Sequence, residues 1–593
     1  MGLQATLYLN GQECDIREIQ MLRPRDIEKI EYHDAPSGKY AKDKLVVNFI
    51  TKQYRYGGYV QADGLQTIGY DHGDYNVATN YVKGNNSYTV FAGANYSHVD
   101  GTETWNNENY QFPQSLFDRE SYSRNSYRNH QEYMQFRYQN QKGKRYWVGK
   151  FTLVNLSTPR NASSGFARES TETDVLSNIR KKSLSPKIDL NANLPLSKNQ
   201  TLTLGVHGKY SANSYHRLYQ EQPFEAMTDE DENALSFQLS AIYNYFSQKH
   251  SLSVELFHYH DVWNADYSGN CELWQHLWKG ESLAFFSYNF QASRRLSLKT
   301  RIGLDWLQYH LHGDNSFSQL SPRINTNVQY QLNKGMLLWS FNFMNSNHGM
   351  DVINRAMIQV NSHMMEKGMP ELKKSHDINT YLYYMRRFNR LSVSAIGQFR
   401  YNHHPVTDDY YLDEANRKIV KTYSNGGNAQ YYSAILALQY KLCKFANLSG
   451  DIRYNHAEVK TTWSKHNNNL TGNLGLNMFM GDFALKPYLH FGKKSLDEAA
   501  LVISKTPIDY GMSCSYSRGN LYVELQAASP FKKQEKRYWL DLPIYSYSKS
   551  IKDQTASQYA SIKVAYSFDF GRKTQKVEKD VNKNINSSLL RVE

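Results

Sequence analysis

Three groups of side chains have the types and spacing to do chemistry. His403-His404 is followed closely by Asp408, Asp409 and Tyr410 in a long polar stretch. Imidazoles, carboxylates and a phenol so close together could bind a metal chelate or a sugar, and these five residues are the candidate ligand-binding set. His258-Tyr259-His260 and His310-Leu311-His312 carry imidazoles two residues apart. On a strand, residues i and i+2 share a face, so each pair could contribute two ligands to a metal. No carboxylate or cysteine partner is placed beside either pair. The competing reading is a population of His and Tyr at a membrane interface, and no metal site is expected. Trp274 and Trp278 with Tyr267 could stack on a sugar, or could belong to an interfacial girdle. Ser, His and Asp are scattered without a recognisable triad, so no catalytic residue and no cofactor is expected.

These residues sit in a chain with a strong rhythm. The last clear segment, Ala560–Phe570, places Ala560, Ile562, Val564, Tyr566, Phe568 and Phe570 on one face. Ser561, Lys563, Ala565, Ser567 and Asp569 fall on the other. Such period-2 alternation is the signature of a strand with one apolar and one wet face. Leu252–Leu256, Leu202–Val206 and Leu296–Leu304 repeat the pattern, with charges confined to one face. A face that meets lipid tolerates charge poorly, at roughly 2–4 kcal/mol for a mid-bilayer cation.

The connections alternate as well. Ten short turns, such as Lys83-Gly84-Asn85-Asn86 and Arg518-Gly519-Asn520, separate about eleven longer connections. The longer ones include Asp100–His130, Ser157–Arg180, Ser214–Asp231, Ser346–Lys374, His403–Asn428 and Lys532–Gln554. The count predicts about 22 strands. Short turns all on one side and long loops on the other describe a transmembrane β-barrel. The fold class is therefore all-β: an antiparallel barrel over residues 53–570, with a small partial α/β plug before it and a polar tail after it.

Composition agrees. Mean hydropathy is −0.69 and no run of 18 apolar residues exists, which excludes a helical membrane protein. Aromatic residues make up 14 %, with 47 Tyr, as interfacial girdles require. The net charge of +13 is spread along the chain and recurs at short turns. It forms no single patch with a binding motif, so no nucleic-acid partner is expected. Cys14, Cys271, Cys443 and Cys514 lie far apart and indicate neither a zinc site nor a disulfide framework. Met1-Gly2-Leu3-Gln4-Ala5-Thr6 lacks the basic and apolar regions of a signal peptide, so the chain is read as a fragment or as starting further upstream.

Residues 1–52 read differently. Strands are predicted over Ala5–Asn10, Ile27–Tyr32 and Leu45–Ile50, with a short helix over Asp15–Met21. This region resembles the second half of the plug of TonB-dependent outer-membrane receptors. The matching residues are Leu7-Tyr8-Leu9-Asn10-Gly11, Asp26-Ile27-Glu28-Lys29-Ile30-Glu31-Tyr32, Ala35-Pro36-Ser37-Gly38-Lys39-Tyr40 and Leu45-Val46-Val47-Asn48-Phe49-Ile50-Thr51-Lys52. Further on, Gly368-Met369-Pro370-Glu371-Leu372 and Ser529-Pro530-Phe531 are similar to late-strand motifs of the family, and Lys563, Ala565, Phe568 and Phe570 to its terminal assembly signal. The resemblance implies a 22-stranded barrel in the cell outer membrane, filled by the plug and importing an unidentified ligand. It implies that residues 1–52 lie in the lumen. As written, the chain begins after the region where family members carry the TonB box, so pairing with the TonB complex is not expected of it. Residues 571–593 are expected to extend into the periplasm without fixed structure. The alternative function is an adhesin, a passive channel or a receptor fragment on the same scaffold.

Overall fold

The computed structural model describes residues 6–9, 12–14, 27–33, 46–51 and 56–571 apart from 114, 315, 347, 348, 554, 556 and 557, together with Lys583. From Tyr56 to Gly571 the chain forms one closed antiparallel barrel. Of its 26 strand segments, four pairs are the two halves of one interrupted strand, which leaves 22 strands around the wall. Closure comes from Tyr559–Gly571 pairing with Tyr56–Ile68, in register from Ala560 opposite Ile68 to Gly571 opposite Gly57. No edge is left unpaired, which lipid demands because it offers backbone groups no partner.

The alternation read from sequence is the alternation of the wall. In Leu296–Leu311, Leu296, Ile302, Leu304 and Trp306 stand exposed on the outer surface. Arg301 points the other way and pairs with Glu255 at 2.5 Å across the lumen face. In the closing strand Ile562, Val564, Tyr566, Phe568 and Phe570 all face outward. Several short turns are two-residue loops with a positive φ, as at Gly143 (φ +60°) and Gly519 (φ +61°). A left-handed turn residue matches the twist of the flanking strands.

The long connections expected over Asp100–His130, Ser157–Arg180 and Ser214–Asp231 are corrected by the structure. They are not loops. Asn86–Phe112, Ser115–Lys142, Arg145–Arg168, Glu172–Ser197, Gln200–Glu221 and Phe224–Phe246 run on as strands of 22 to 28 residues. About 9–11 residues suffice to cross the bilayer. The remainder of each strand stands above it, where the outer face is polar and the buried inner face carries charged and polar side chains such as Arg119, Arg217 and Glu232, so the apolar alternation loses its contrast. Lys532–Gln554 is likewise mostly strand, in Glu535–Asp541 and Tyr545–Lys552. The strands interrupted near Pro507 and Pro530 break where a residue without an N–H cannot extend the ladder.

Before the barrel, Thr6–Leu9, Gln12–Cys14, Ile27–His33 and Val46–Thr51 make a separate four-stranded sheet. Three of these match the predicted strands. Gln12–Cys14 was not foreseen, and the helix expected over Asp15–Met21 lies outside the described residues. Thr6–Leu9 runs parallel to Val46–Phe49, and Ile27–His33 runs antiparallel to it. Asn48 is buried and donates to Glu31 at 2.7 Å. Beyond the barrel, Lys583 places its ammonium 4.0 Å from the centroid of the Tyr133 ring. Tyr133 shares the lumen face of its strand with Gln135 and Arg137.

An outward-facing position inside the apolar belt should reject charge. Ile302→Arg is expected to lower stability by about 2–4 kcal/mol, whereas Ser297→Arg, on the lumen face, should cost under about 1 kcal/mol. Denaturant titration of the protein refolded into lipid vesicles measures both.

Candidate functional site at the extracellular mouth

Two of the predicted loops are loops, and they fold together. The first supplies strands Met357–Gln359 and Met364–Lys367, after a single helical turn at Met350–Ile353. The second supplies Thr407–Asp413 and Lys418–Ser424. The second hairpin is turned by Asp413, whose carboxylate accepts the N–H groups of Ala415 and Asn416, and by Arg417 at φ +50°. The two loops join where Met364–Glu366 pairs in parallel with Ile419–Lys421. The result is a four-stranded sheet across the mouth, which we refer to as the cap.

The cap is packed as a core. Met364, Tyr410 and Ile419 are buried with Tyr110, Leu501, Leu540 and Tyr545 of the wall. On the other side Ala356 and Ile358 pack on Ala265 and Tyr267.

Polar contacts then tie it down at intervals round the lumen. Lys374 pairs with Asp305 at 3.0 Å, with both side chains fully buried. Gln275 donates to Asn354 at 2.5 Å and Asn354 donates to Tyr267 at 2.6 Å. Arg217 donates to the carbonyls of Gln359 at 2.7 Å and Val360 at 2.5 Å. The first loop thus runs along the inner wall from the strand of Asp305 to that of Tyr110.

Its tip, Asn361-Ser362-His363, docks into a charged knot. Arg119 is buried between Glu108 at 2.7 Å and Glu221 at 2.8 Å, with Glu169 at 3.8 Å. Glu108 also accepts from Tyr110 at 3.0 Å and Tyr545 at 2.7 Å. Ser362 donates to Glu221 at 3.1 Å, and His363 meets Glu169 at 2.7 Å. Asn361 donates to the Tyr110 hydroxyl at 3.3 Å. Three carboxylates surround one guanidinium, so the knot carries net negative charge. Beside it lies a cavity of about 560 Å³ lined by Glu108, Asp118, Arg119, Glu120, Trp539 and Asp541 among others. Its volume falls within the range of small-molecule sites. Its four acids against one arginine favour a polar, positively charged occupant.

The five candidate ligand residues are dispersed by this fold. Asp408 pairs with Lys421 at 3.4 Å, and Lys421 also pairs with Glu366 at 3.3 Å. Asp409 points the other way, accepting from Trp463 at 2.8 Å and Thr462 at 3.0 Å. Tyr410 lies in the core, its ring 5.6 Å from Tyr545. His403 is exposed where the barrel strand ends, and its ring centroid lies 3.9 Å from that of His404, tilted by 43°. His404 reaches the Asn425 carbonyl at 2.9 Å. Among the described residues no three His, Cys, Asp or Glu side chains are grouped to hold a metal.

His258 and His260 lie on the outer surface beside Phe237 and Trp278, and His312 stands 5.0 Å from Trp274. Trp274 and Trp278 therefore belong to an outer aromatic girdle. Tyr267 faces the lumen and does not join them. Arg119, Glu221, Arg217 and His363 were not foreseen; the contacts Arg119–Glu221, Arg217–Gln359 and His363–Glu169 join residues 102, 142 and 194 positions apart.

Two outcomes follow. Burial pushes the Asp408 carboxyl up to about 6, with Lys421 opposing the shift and Glu366 adding to it. A pKa raised on folding contributes stability that is fully present below about pH 4 and lost as pH rises through about 6. Hydrogen exchange in 407–413 and 418–424, corrected for intrinsic rate, should therefore be faster at pH 7.5 than at 4.5, and Asp408→Asn should remove the difference. Arg119→Met leaves Glu108 and Glu221 buried without their cation, a change of about 3–5 kcal/mol. Exchange at 361–363 should rise by orders of magnitude while the belt strands keep their protection.

No family model and no curated protein matches the chain. Solved structures do. The chain is similar to the copper transporter OprC at 11 % identity and TM-score 0.62, covering 95 % of this chain and 90 % of that one. It is similar to the siderophore receptor PirA from Pseudomonas aeruginosa at 12 % identity and TM-score 0.54, over 95 % and 91 % of the two chains. The FrpB iron transporter from Neisseria meningitidis matches at 8 % identity and TM-score 0.56, over 96 % and 92 %. At these identities the likeness establishes the fold. The chain has the fold of the TonB-dependent outer-membrane receptors, a closed 22-stranded antiparallel barrel.

Proposed function

We propose that the protein captures a ligand outside the cell and passes it inward through the lumen, with the cap as its gate. The observation that carries this reading is the cap itself. It closes the mouth with a folded sheet, yet its anchors are polar contacts and ion pairs that water or a ligand can replace. Capture would begin at its outer edge, where His403, His404 and Asp409 stand at or near the surface, and at the acidic cavity beside Arg119. Asp408 and Tyr410 would take part only once the cap opens.

The N-terminal sheet would serve as the plug. Arg137 at 2 % exposure, Gln135 and Asn80 point into the lumen and are nevertheless buried. A bare barrel of 22 strands encloses a wide channel that would leave such groups wet. A body filling the lumen accounts for their burial; residues 1–52 suit that role, beside the tail residue Lys583, which lies against Tyr133 on the same face as Gln135 and Arg137.

The similar structures are named for copper, siderophore and iron traffic, which makes metal ions and metal chelates the first class to try. Radiolabelled ferric siderophores and copper are supplied to cells carrying the full chain, with and without an inner-membrane proton gradient. Accumulation that depends on the gradient supports energised uptake. Accumulation that ignores it would make the barrel a passive channel. A disulfide between Ser362→Cys and Glu221→Cys should block entry until it is reduced. Unchanged entry with the disulfide formed would show that the cap is not the gate.

A further inference from the structure

The outer wall carries a basic patch that the transport reading does not use. It spans three adjacent strands, Ser115–Lys142, Arg145–Arg168 and Glu172–Ser197. Their outward faces show an apolar belt that includes Met134, Phe136, Phe151, Leu153, Leu184 and Ile188. Toward the extracellular end the outward positions change character. On the third strand Lys182 and then Arg180 follow Leu184 directly. On the first strand Glu132, which accepts from Asn155 of the second, and His130 come before Arg128, and on the second strand Arg160 lies at the level of Arg128.

Register brings these charges side by side. Arg128 is directly opposite Arg160. Ile179 pairs with Asn161 and Lys181 with Thr158, so Arg180 faces the bulge that contains Arg160. Lys182 lies opposite Ser157. Neighbouring strands are about 4.8 Å apart, and like charges opposite one another repel. Arg128 is relieved by Asp100 at 2.7 Å. Arg160, Arg180 and Lys182 are exposed and form no ion pair within 4 Å among the described residues, although Asp100 also feels the Arg160 charge.

We propose that Arg160, Arg180 and Lys182, flanked by Arg128, bind the phosphate of an anionic lipid head group in the outer leaflet. The patch begins where the lipid-facing belt ends, so a lipid whose chains cover Leu184 and Leu153 brings its head group to these cations. Guanidinium forks on adjacent strands match phosphate oxygens in pairs, and an ammonium adds a third donor. Basic residues next to a membrane surface are drawn to anionic lipid for the same reason. The phosphate removes the repulsion that the bare row would suffer.

The test uses the full chain purified in a neutral detergent, with lipid A as the probe and native mass spectrometry as the readout. Lipid A is expected to remain bound through detergent exchange. Dephosphorylated lipid A should bind at least tenfold more weakly, and R160Q/R180Q/K182Q should lose the same factor for intact lipid A. R160K/R180K keeps the charge but not the forks and should bind more tightly than the triple glutamine variant and more weakly than the unaltered chain, which separates loss of charge from a folding defect. Equal binding of the dephosphorylated lipid, or undiminished binding by the triple glutamine variant, would overturn the proposal. Displacement of lipid A by equimolar inorganic phosphate would overturn it too, since the site would then be one for a soluble anion.

Discussion

Every feature of this molecule depends on a hydrogen-bonding constraint. A strand in lipid must find both neighbours, because nothing else there can satisfy its N–H and C=O groups. The first and last strands of the barrel therefore meet, at Gly57 opposite Gly571. Closure in turn creates an interior, and an interior needs polar side chains on alternate residues. The Arg301–Glu255 pair is one such lumen contact. The same closure brings the outer ends of distant strands into one ring, on which the cap is mounted.

The cap shows how the ring is used. Its core alone would make it a permanent lid, since Ile419 and Tyr410 are as well packed as any globular interior. Its perimeter is different. Lys374–Asp305, Arg217 and the Arg119 knot are charged or strongly polar, and their net value against hydrated alternatives is small. Such contacts define where the sheet sits more than how firmly it stays. Lys421 shared between Glu366 and Asp408 repeats the theme within the cap: one cation serves two acids, and burial raises the Asp408 carboxyl although Lys421 opposes the shift.

The barrel was legible in the sequence wherever one face met lipid. Ala560–Phe570 and Leu296–Leu304 announced their orientation because charge is excluded from a single side. Above the bilayer that asymmetry vanishes. Glu108, Arg119 and Glu221 sit on strands as regular as any, yet the buried face there carries charge in place of apolar residues, and the segments that hold them read as loops. The candidate site was legible only as composition. Asp408 and Asp409 were singled out for being adjacent, but adjacency on a strand sends side chains to opposite faces, and the two serve different partners. Arg119 was not found from spacing, since the knot it centres joins Glu108 on the adjacent strand to Glu221, 102 positions from Arg119.

That separation has a bearing on the order in which the chain assembles. Tyr545 bonds Glu108 across 437 positions, and Asn361 bonds Tyr110 across 251. Contacts of such range form late, after the intervening chain has found its own neighbours. The tip of the cap has no complete receptor until the last hairpins have brought Tyr545 to the first. Through most of its biogenesis the barrel is therefore an open vessel, and seating of residues 361–363 marks the moment at which the molecule is finished.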